Sequence, residues 1–368
     1  MNSIQRPVIM GFPRRYIQGR GVSEQVGELI SIFASSVAIV ADDLIWNTYK
    51  NTILKSLSKS NITSKRLIFT GECTHAEIEK LGKDAKGLEC VLAVGGGKAI
   101  DTAKGIASVL SSEVIIFPTI ASNDSPTSRL VVVYSDAHVV QAAEKMTLNP
   151  AAVIVDTEII KDAPKRFLLA GIGDAISKIY EVTQSSAAGA ANFFGGTPSQ
   201  TAMAIARECH KIIMEDSESA LAAHSIGEIN SAFERLVEAT ILMSGLAFEN
   251  GGLSIAHAVL RGFSNNPDFS RSLHGEQVAF GLLVQLLTNT KYHKTAVDLR
   301  TFYSKIGLPC NLKELGAKDD AKTIADDIAK FTFENAPYVM NVEEPLDKEK
   351  LAKAIVLADQ LANDKNAL

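Results

Sequence analysis

Short runs of β-branched and aromatic residues recur through the first half of the chain, separated by stretches whose apolar positions repeat at helical spacing. The runs predict strands over 37–40, 66–70, 90–94, 114–117, 130–134 and 152–155, and the spacing between them predicts helices over 74–83 and 98–110. Strands that alternate with helices in this way build a mostly parallel, helix-covered sheet. Beyond Asp156 the texture changes. From about Pro164 the β-branched runs disappear, and apolar residues return every third or fourth position through 199–214, 228–248, 276–289 and 349–363. The pattern therefore predicts an α/β N-terminal Rossmann-like domain over 1–163 and an all-α C-terminal domain over 164–368. An active site is expected in the cleft between them, because ligand sites favour domain interfaces.

Composition narrows the function without changing that picture. The chain has 368 residues, long for one domain and suited to two. Lys plus Arg is 37 and Asp plus Glu is 42, so the net charge is −5 and no bulk positive field exists to collect nucleic acid or an anionic membrane surface. The longest largely apolar stretch, 239–248, falls well short of the ~20 residues of a membrane helix. Gly11, Pro13 and the pair Arg14-Arg15 interrupt Val8-Ile9-Met10 before a signal-peptide core can form. Cys73, Cys90, Cys209 and Cys310 are few and far apart, which predicts a reducing cytoplasm.

The sharpest local feature is the passage from Cys90-Val91-Leu92-Ala93-Val94 through Gly95-Gly96-Gly97 into a helix that begins near Lys98. Glycines there let the backbone turn tightly and approach a phosphate, and free N–H groups at a helix start favour negative charge. The spacing is not G-x-G-x-x-G, so an ordinary strand-to-helix turn stays open. Asp42 and Asp43 follow the 37–40 strand, where an acid can accept from an adenosine ribose; an acidic turn or a helix N-cap is the plainer reading. Asp174, His257 and His274 fall on three separate helical stretches, and the two histidines do not follow the i, i+4 spacing of a zincin. By themselves these three residues define no site.

Taken together and in order, the glycine turn, the loop Phe117-Pro118-Thr119-Ile120-Ala121-Ser122-Asn123-Asp124-Ser125-Pro126-Thr127-Ser128, and the segments Gly171-Ile172-Gly173-Asp174-Ala175, Gly251 to Val259 and Leu273 to Gly281 carry more. The set resembles the glycerol dehydrogenase branch of the group III, or iron-containing, alcohol dehydrogenase superfamily, from Tyr16-Ile17-Gln18-Gly19 nearly to the C-terminus. That resemblance implies a divalent metal, usually Zn²⁺ with Fe²⁺ as the alternative, held by Asp174, His257 and His274. It implies NAD, with Asp42 at the ribose, Gly96, Gly97 and Lys98 at the pyrophosphate and Asp101 nearby. Thr119 and Ser122 are implied at the nucleotide, and Ser128, Leu130 and Tyr134 on the nicotinamide side. Asp124 matches the acid that contacts a diol substrate. The implied reaction is oxidation of a small vicinal diol, glycerol to dihydroxyacetone, by hydride transfer from a metal-bound alkoxide to NAD⁺, in a cytoplasmic homo-oligomer.

Two departures lie near those motifs. Arg129 and Val131 stand where the family segment has alanine and serine, and Leu260-Arg261 replaces a His-Asn pair. Arginine suits carboxylates and phosphates, so a small hydroxy acid or other anionic alcohol is an alternative substrate, against the plainer reading that both arginines face solvent or an oligomer contact. Two rival functions are a lyase related to dehydroquinate synthase and a non-catalytic NAD-binding protein.

Overall fold

The structure is a computed structural model that describes residues 6–135 and 139–361. Its strands are β1 (Arg15–Gly19), β2 (Ser36–Ala41), β3 (Thr63–Ile68), β4 (Cys90–Gly95), β5 (Glu113–Pro118), β6 (Leu130–Tyr134), β7 (Val140–Lys145) and β8 (Ala152–Asp156). Six of them form one sheet in the order β1-β8-β5-β4-β2-β3, every neighbouring pair parallel. After β8 the described elements are all helical. This is the architecture expected from the alternation of patterns, a helix-covered parallel sheet followed by a helical remainder.

The chain winds outward from β2 to β3, returns to the other side of β2 for β4, and continues away through β5. The reversal between β2 and β4 opens a crevice at the carboxyl ends of these strands, the place where open α/β sheets bind ligands. Asp42 ends one side of it and Gly95-Gly96-Gly97 the other.

Four strands differ from expectation. β6 does not join the parallel sheet; it pairs antiparallel with β7 in a separate hairpin. β7 reads Val-Gln-Ala-Ala-Glu-Lys and is mostly exposed, so it lacks the β-branched run that marks a buried strand. β3 starts at Thr63, opposite Ser36, and stops at Ile68, earlier than the 66–70 run. It is an edge strand with polar Thr63-Ser64-Lys65 outside the apolar run. β1, the other edge, is half-buried and escaped the pattern for the same reason. The predicted 349–363 helix spans Lys348–Leu361, and its last two positions lie outside the described residues, as does His138.

One face of the sheet is closed by Val26, Ile30, Ile53 and Leu57 against Ile39, Leu92 and Ile154. The other face carries a larger apolar cluster that runs from Val40, Ala93 and Ile116 through the helix Gly97–Leu110 into the helical half. There Phe263 packs on Phe269 and Phe280 with ring centroids 5.0 and 6.1 Å apart. Each such ring, fully buried, contributes on the order of 2 kcal/mol. The shared cluster makes the strand-bearing and helical halves one packed body and fixes the cleft between them.

Candidate active site

A cavity of about 750 Å³ follows the crevice from Asp42 past the glycine turn to His257 and His274. At its outer end Asp42 caps the helix Asp43–Lys59 by accepting from Ile45 N at 2.9 Å, and still lines the cavity beside Leu44, Thr48 and Tyr49. Asp43 faces away and pairs with Arg66.

The glycine turn forms the middle of the wall. Gly95 takes φ of +151°, which side-chain-bearing residues rarely adopt, and the helix Gly97–Leu110 then begins with no side-chain cap. Thr119 N closes the neighbouring loop onto Gly95 O at 3.1 Å. Thr119 Oγ1 and Ser125 Oγ are buried with no hydrogen-bond partner, and both residues line the cavity. Buried hydroxyls left in this way, next to an uncapped helix start, suit a ligand that brings acceptors and a negative charge. Below them Lys104, fully buried, donates to Ser125 O at 2.6 Å and Leu130 O at 2.8 Å, tying the loop after β5 and the start of β6 to the helix. Burial pushes its neighbour Asp101 up to about 6. Lys98 pairs with Glu72 at 2.7 Å and lies over the Tyr134 ring.

The inner end gathers three helices. Asp174 lies on Lys165–Ala175, His257 on Ile255–Ser264, and His274 opens His274–Leu287. Their ligating atoms lie within 4.8 Å of one another. His257 Nε2 is 3.2 Å and His274 Nε2 3.8 Å from Asp174 Oδ1. The helices meet this closely because the crossing is made of glycine: Gly275 sits against Ala170 O, and Gly173 against Gly275 O. Asp174 is sealed from solvent, whereas His274 exposes 45% of its side chain toward the cavity. His257 Nδ1 is 2.6 Å from Glu181 Oε2, which turns Nε2 toward Asp174. A carboxylate behind a histidine in this way fixes the tautomer of a metal ligand.

Lys178 and Asp124 complete the cluster. Lys178 Nζ lies 2.6 Å from Asp174 Oδ1, 3.0 Å from Asp124 Oδ2 and 3.1 Å from His257 Nε2. Ser244 Oγ donates to Asp124 Oδ2 at 2.6 Å, from a helix that follows a π-helical turn over Ala239–Met243. Burial alone would depress Lys178, but Asp124, Asp174 and Glu181 hold it above the usual lysine range. Burial would likewise raise Asp174, yet Lys178 and the hydrogen bond from His257 keep it well below the usual carboxylate value. Burial would lower His257, but Glu181 brings it up to about 9.

These groups fit a divalent cation. Asp124, Asp174 and Glu181 are buried carboxylates that outnumber the cationic side chains, Lys178 and His257, facing them, so the centre carries an excess of negative charge. Buried charge of that size is costly unless it is matched. Two nitrogens and one carboxylate oxygen converge on a point open to the cavity, a donor set that suits zinc with a free position.

Of the residues singled out in the sequence, Asp42, Gly96, Gly97, Lys98, Asp101, Thr119, Ser122, Asp124, Ser128, Leu130, Tyr134, His257 and His274 all line the one cavity, and Asp174 lies just behind it. Arg129 and Arg261 do not line it. Arg129 donates to Phe193 O, sits 3.9 Å from Glu249 and stacks on Phe194, so its charge is spent inside the protein. Arg261 lies beside Tyr338. Arg129 is thus engaged away from the cavity, whereas Arg261 lies near Tyr134, which lines it. Lys178, Glu181 and Ser244 were missed. The first two had a signal, since Asp174, Lys178 and Glu181 follow i, i+4, i+7 spacing in an otherwise apolar passage.

A family model described as iron-containing alcohol dehydrogenase matches residues 13–157. The glycerol dehydrogenase of Pseudomonas putida is 35% identical over 95% of this chain and 96% of its own. That of Thermotoga maritima is 36% identical over 95% and 96%. The crystal structure of glycerol dehydrogenase from Schizosaccharomyces pombe superposes with a TM-score of 0.93 at 34% identity, covering 98% of this chain and 93% of that one.

Proposed function

Because the chain belongs to the glycerol dehydrogenase branch of the iron-containing alcohol dehydrogenase family, we propose that it oxidises glycerol or a closely related vicinal diol to the hydroxyketone, with NAD⁺ as hydride acceptor and Zn²⁺ as its metal. The observation that carries this reading is a continuous cavity that runs from the glycine turn to the convergent donors, long enough for a nucleotide and an alcohol to lie side by side. A first domain over 1–163 would hold the nucleotide and a second over 164–368 the metal, in a cytoplasmic homo-oligomer.

In this reading Asp174, His257 and His274 hold the ion, and Glu181 keeps His257 in the coordinating tautomer. A divalent ion held there would supply Lewis acidity to an alcohol hydroxyl, and bound NAD⁺ would supply the hydride acceptor. Asp124, steadied by Ser244, offers a carboxylate oxygen to the second hydroxyl of a diol. Thr119, Ser122 and Ser128, with the uncapped helix start at Gly97, hold the nucleotide, while Asp42 favours a free ribose hydroxyl over a 2′-phosphate. Phe248 and Leu253 line the inner end and exclude bulk water from it.

The test is steady-state NADH formation by the zinc-loaded protein. Glycerol and 1,2-propanediol are expected to be oxidised, with hydroxy acids at most poor substrates and NADP⁺ a poor acceptor. Turnover of hydroxy acids with neglect of diols would overturn the substrate. Chemistry without net NADH formation would favour the lyase, and no turnover with bound NAD⁺ the non-catalytic protein.

A further inference from the structure

Lys178 has no task in the reaction just described, yet its ammonium meets three polar groups at the centre. Its Nζ touches Asp174 Oδ1 and His257 Nε2, two of the three atoms that converge, together with Asp124 Oδ2. It is fully buried, lies 5.3 Å from the Phe248 ring centroid, and does not line the cavity. It therefore stands behind the cavity wall formed by Asp124 and His257. What it can do is supply charge. Without that ammonium, three buried carboxylates would repel one another more strongly and disfavour the folded centre.

We propose that Lys178 is a resident counter-charge that holds the three-carboxylate centre together without metal and, by repelling a second cation, lowers the affinity of the centre for Zn²⁺. The inference rests on the reading of Asp174, His257 and His274 as ligands. Two opposed effects follow. The ammonium neutralises one carboxylate, so the donors are assembled before the ion arrives. It also stands within hydrogen-bond distance of two donor atoms, so an ion that takes those atoms meets a positive charge at short range. Lys178 is thus a positioning residue, and it makes metal loading reversible.

The test is a charge series on the full-length protein, stripped by chelator and titrated with zinc against a chromophoric competitor, with thermal melting of each form in parallel. Lys178→Met shortens the side chain by one atom and removes its charge; it is expected to bind zinc at least tenfold more tightly than wild type. Asp124→Asn, which removes one negative charge, is expected to bind at least tenfold more weakly. The double variant removes one charge of each sign and is expected to return to within a few-fold of wild type. Without metal, Lys178→Met is expected to melt below wild type and to gain more from zinc. Structural damage alone would weaken zinc binding in all three variants, so the opposite signs are diagnostic. Unchanged or weaker zinc binding by Lys178→Met, with wild type still binding zinc, would overturn this proposal alone. If Lys178→Met does not fold without metal, the double variant and Asp124→Asn decide the case: double-variant affinity no better than that of Asp124→Asn overturns the proposal. Absence of zinc binding in wild type would remove the metal reading and the proposal together, whereas failure to oxidise glycerol would leave the series untouched.

Discussion

Gly275→Ala should damage the centre without touching any of its polar groups. A Cβ at position 275 would stand 1.7 Å from Ala170 O and 2.5 Å from its carbonyl carbon. An ordinary C···O contact is about 3.3 Å, so the helices Lys165–Ala175 and His274–Leu287 would have to separate by roughly 1.5 Å. The obstacle is backbone in mid-helix, which no rotamer change relieves. Overpacking costs typically 1–3 kcal/mol, and here the upper end, about 3 kcal/mol, is expected. At roughly 2–4 °C per kcal/mol for a large domain, the melting temperature should fall by about 6–12 °C. The displacement also reaches the site, because His274 precedes the new side chain, and Gly173, one residue before Asp174, carries Gly275 O at its surface. Zinc affinity should drop by about 10–100-fold, the size seen when ligand-orienting groups are lost. Gly82→Ala is the control. It lies in the helix His75–Asp84 with only an ordinary 3.7 Å contact waiting, and should be neutral or stabilising by up to ~1 kcal/mol. If Gly275→Ala melts within 2 °C of wild type on calorimetry (the ~2 °C bound is less than 1 kcal/mol) and binds zinc unchanged, the close glycine crossing is not what assembles the donors.

Burial pushes Glu249 up to about 7 against an ordinary 4.5, despite donors from Arg129 N and Asn149. A raised carboxyl means that the folded state holds the proton more tightly, so stability is fully present below about 4.5 and is lost as pH rises through about 7, by about 3 kcal/mol. Glu249→Gln should flatten denaturant-derived stability between these values, and equal slopes in both proteins would refute the assignment. Asp42→Ala removes a cap worth about 1 kcal/mol and should also raise the KM for NAD⁺ with kcat nearly unchanged. A stability loss with an unaltered KM would reduce Asp42 to its capping role. Glu181→Gln should weaken zinc binding by about 10–100-fold while NAD⁺ binding, read by fluorescence titration, holds.

The parallel sheet was legible because its central strands are buried on both faces and read as unbroken apolar runs, as Val91-Leu92-Ala93-Val94 does. Edge strands lost that signal, and β7, with one face in solvent and alanine at two of its six positions, had almost none. The 130–134 run was read correctly as a strand, but its partner is a tertiary matter that periodicity does not encode. At the site, residue types and order pointed to the cavity, because glycines, hydroxyls and histidines in that sequence match a known pattern. What stayed hidden was pairing. Arg129 and Lys178 are both cations near motif residues, and only the fold reveals that the first is engaged by Glu249, Phe193 and Phe194 while the second enters the carboxylate cluster.

The loop after β5 joins the two chemistries. Its Ala121 carbonyl rests on Gly171, one turn before Asp174, and Asp124 N donates to Asp174 Oδ2 at 3.3 Å. Thr127 Oγ1 donates to Ile241 O within the π-helical turn that leads to Ser244. The same loop offers Thr119, Ser122 and Ser128 to the nucleotide side of the cavity and is held from below by Lys104. One ten-residue segment, 119–128, therefore touches the helix that carries Asp174, the helix that carries Ser244 and the helix that follows the glycine turn. In the proposed reaction this loop would set how the nucleotide stands to the convergent donors, because it is fastened to both the strand-bearing and the helical halves. The cavity opens beside Leu44, which is 76% exposed, at the end opposite His257 and His274.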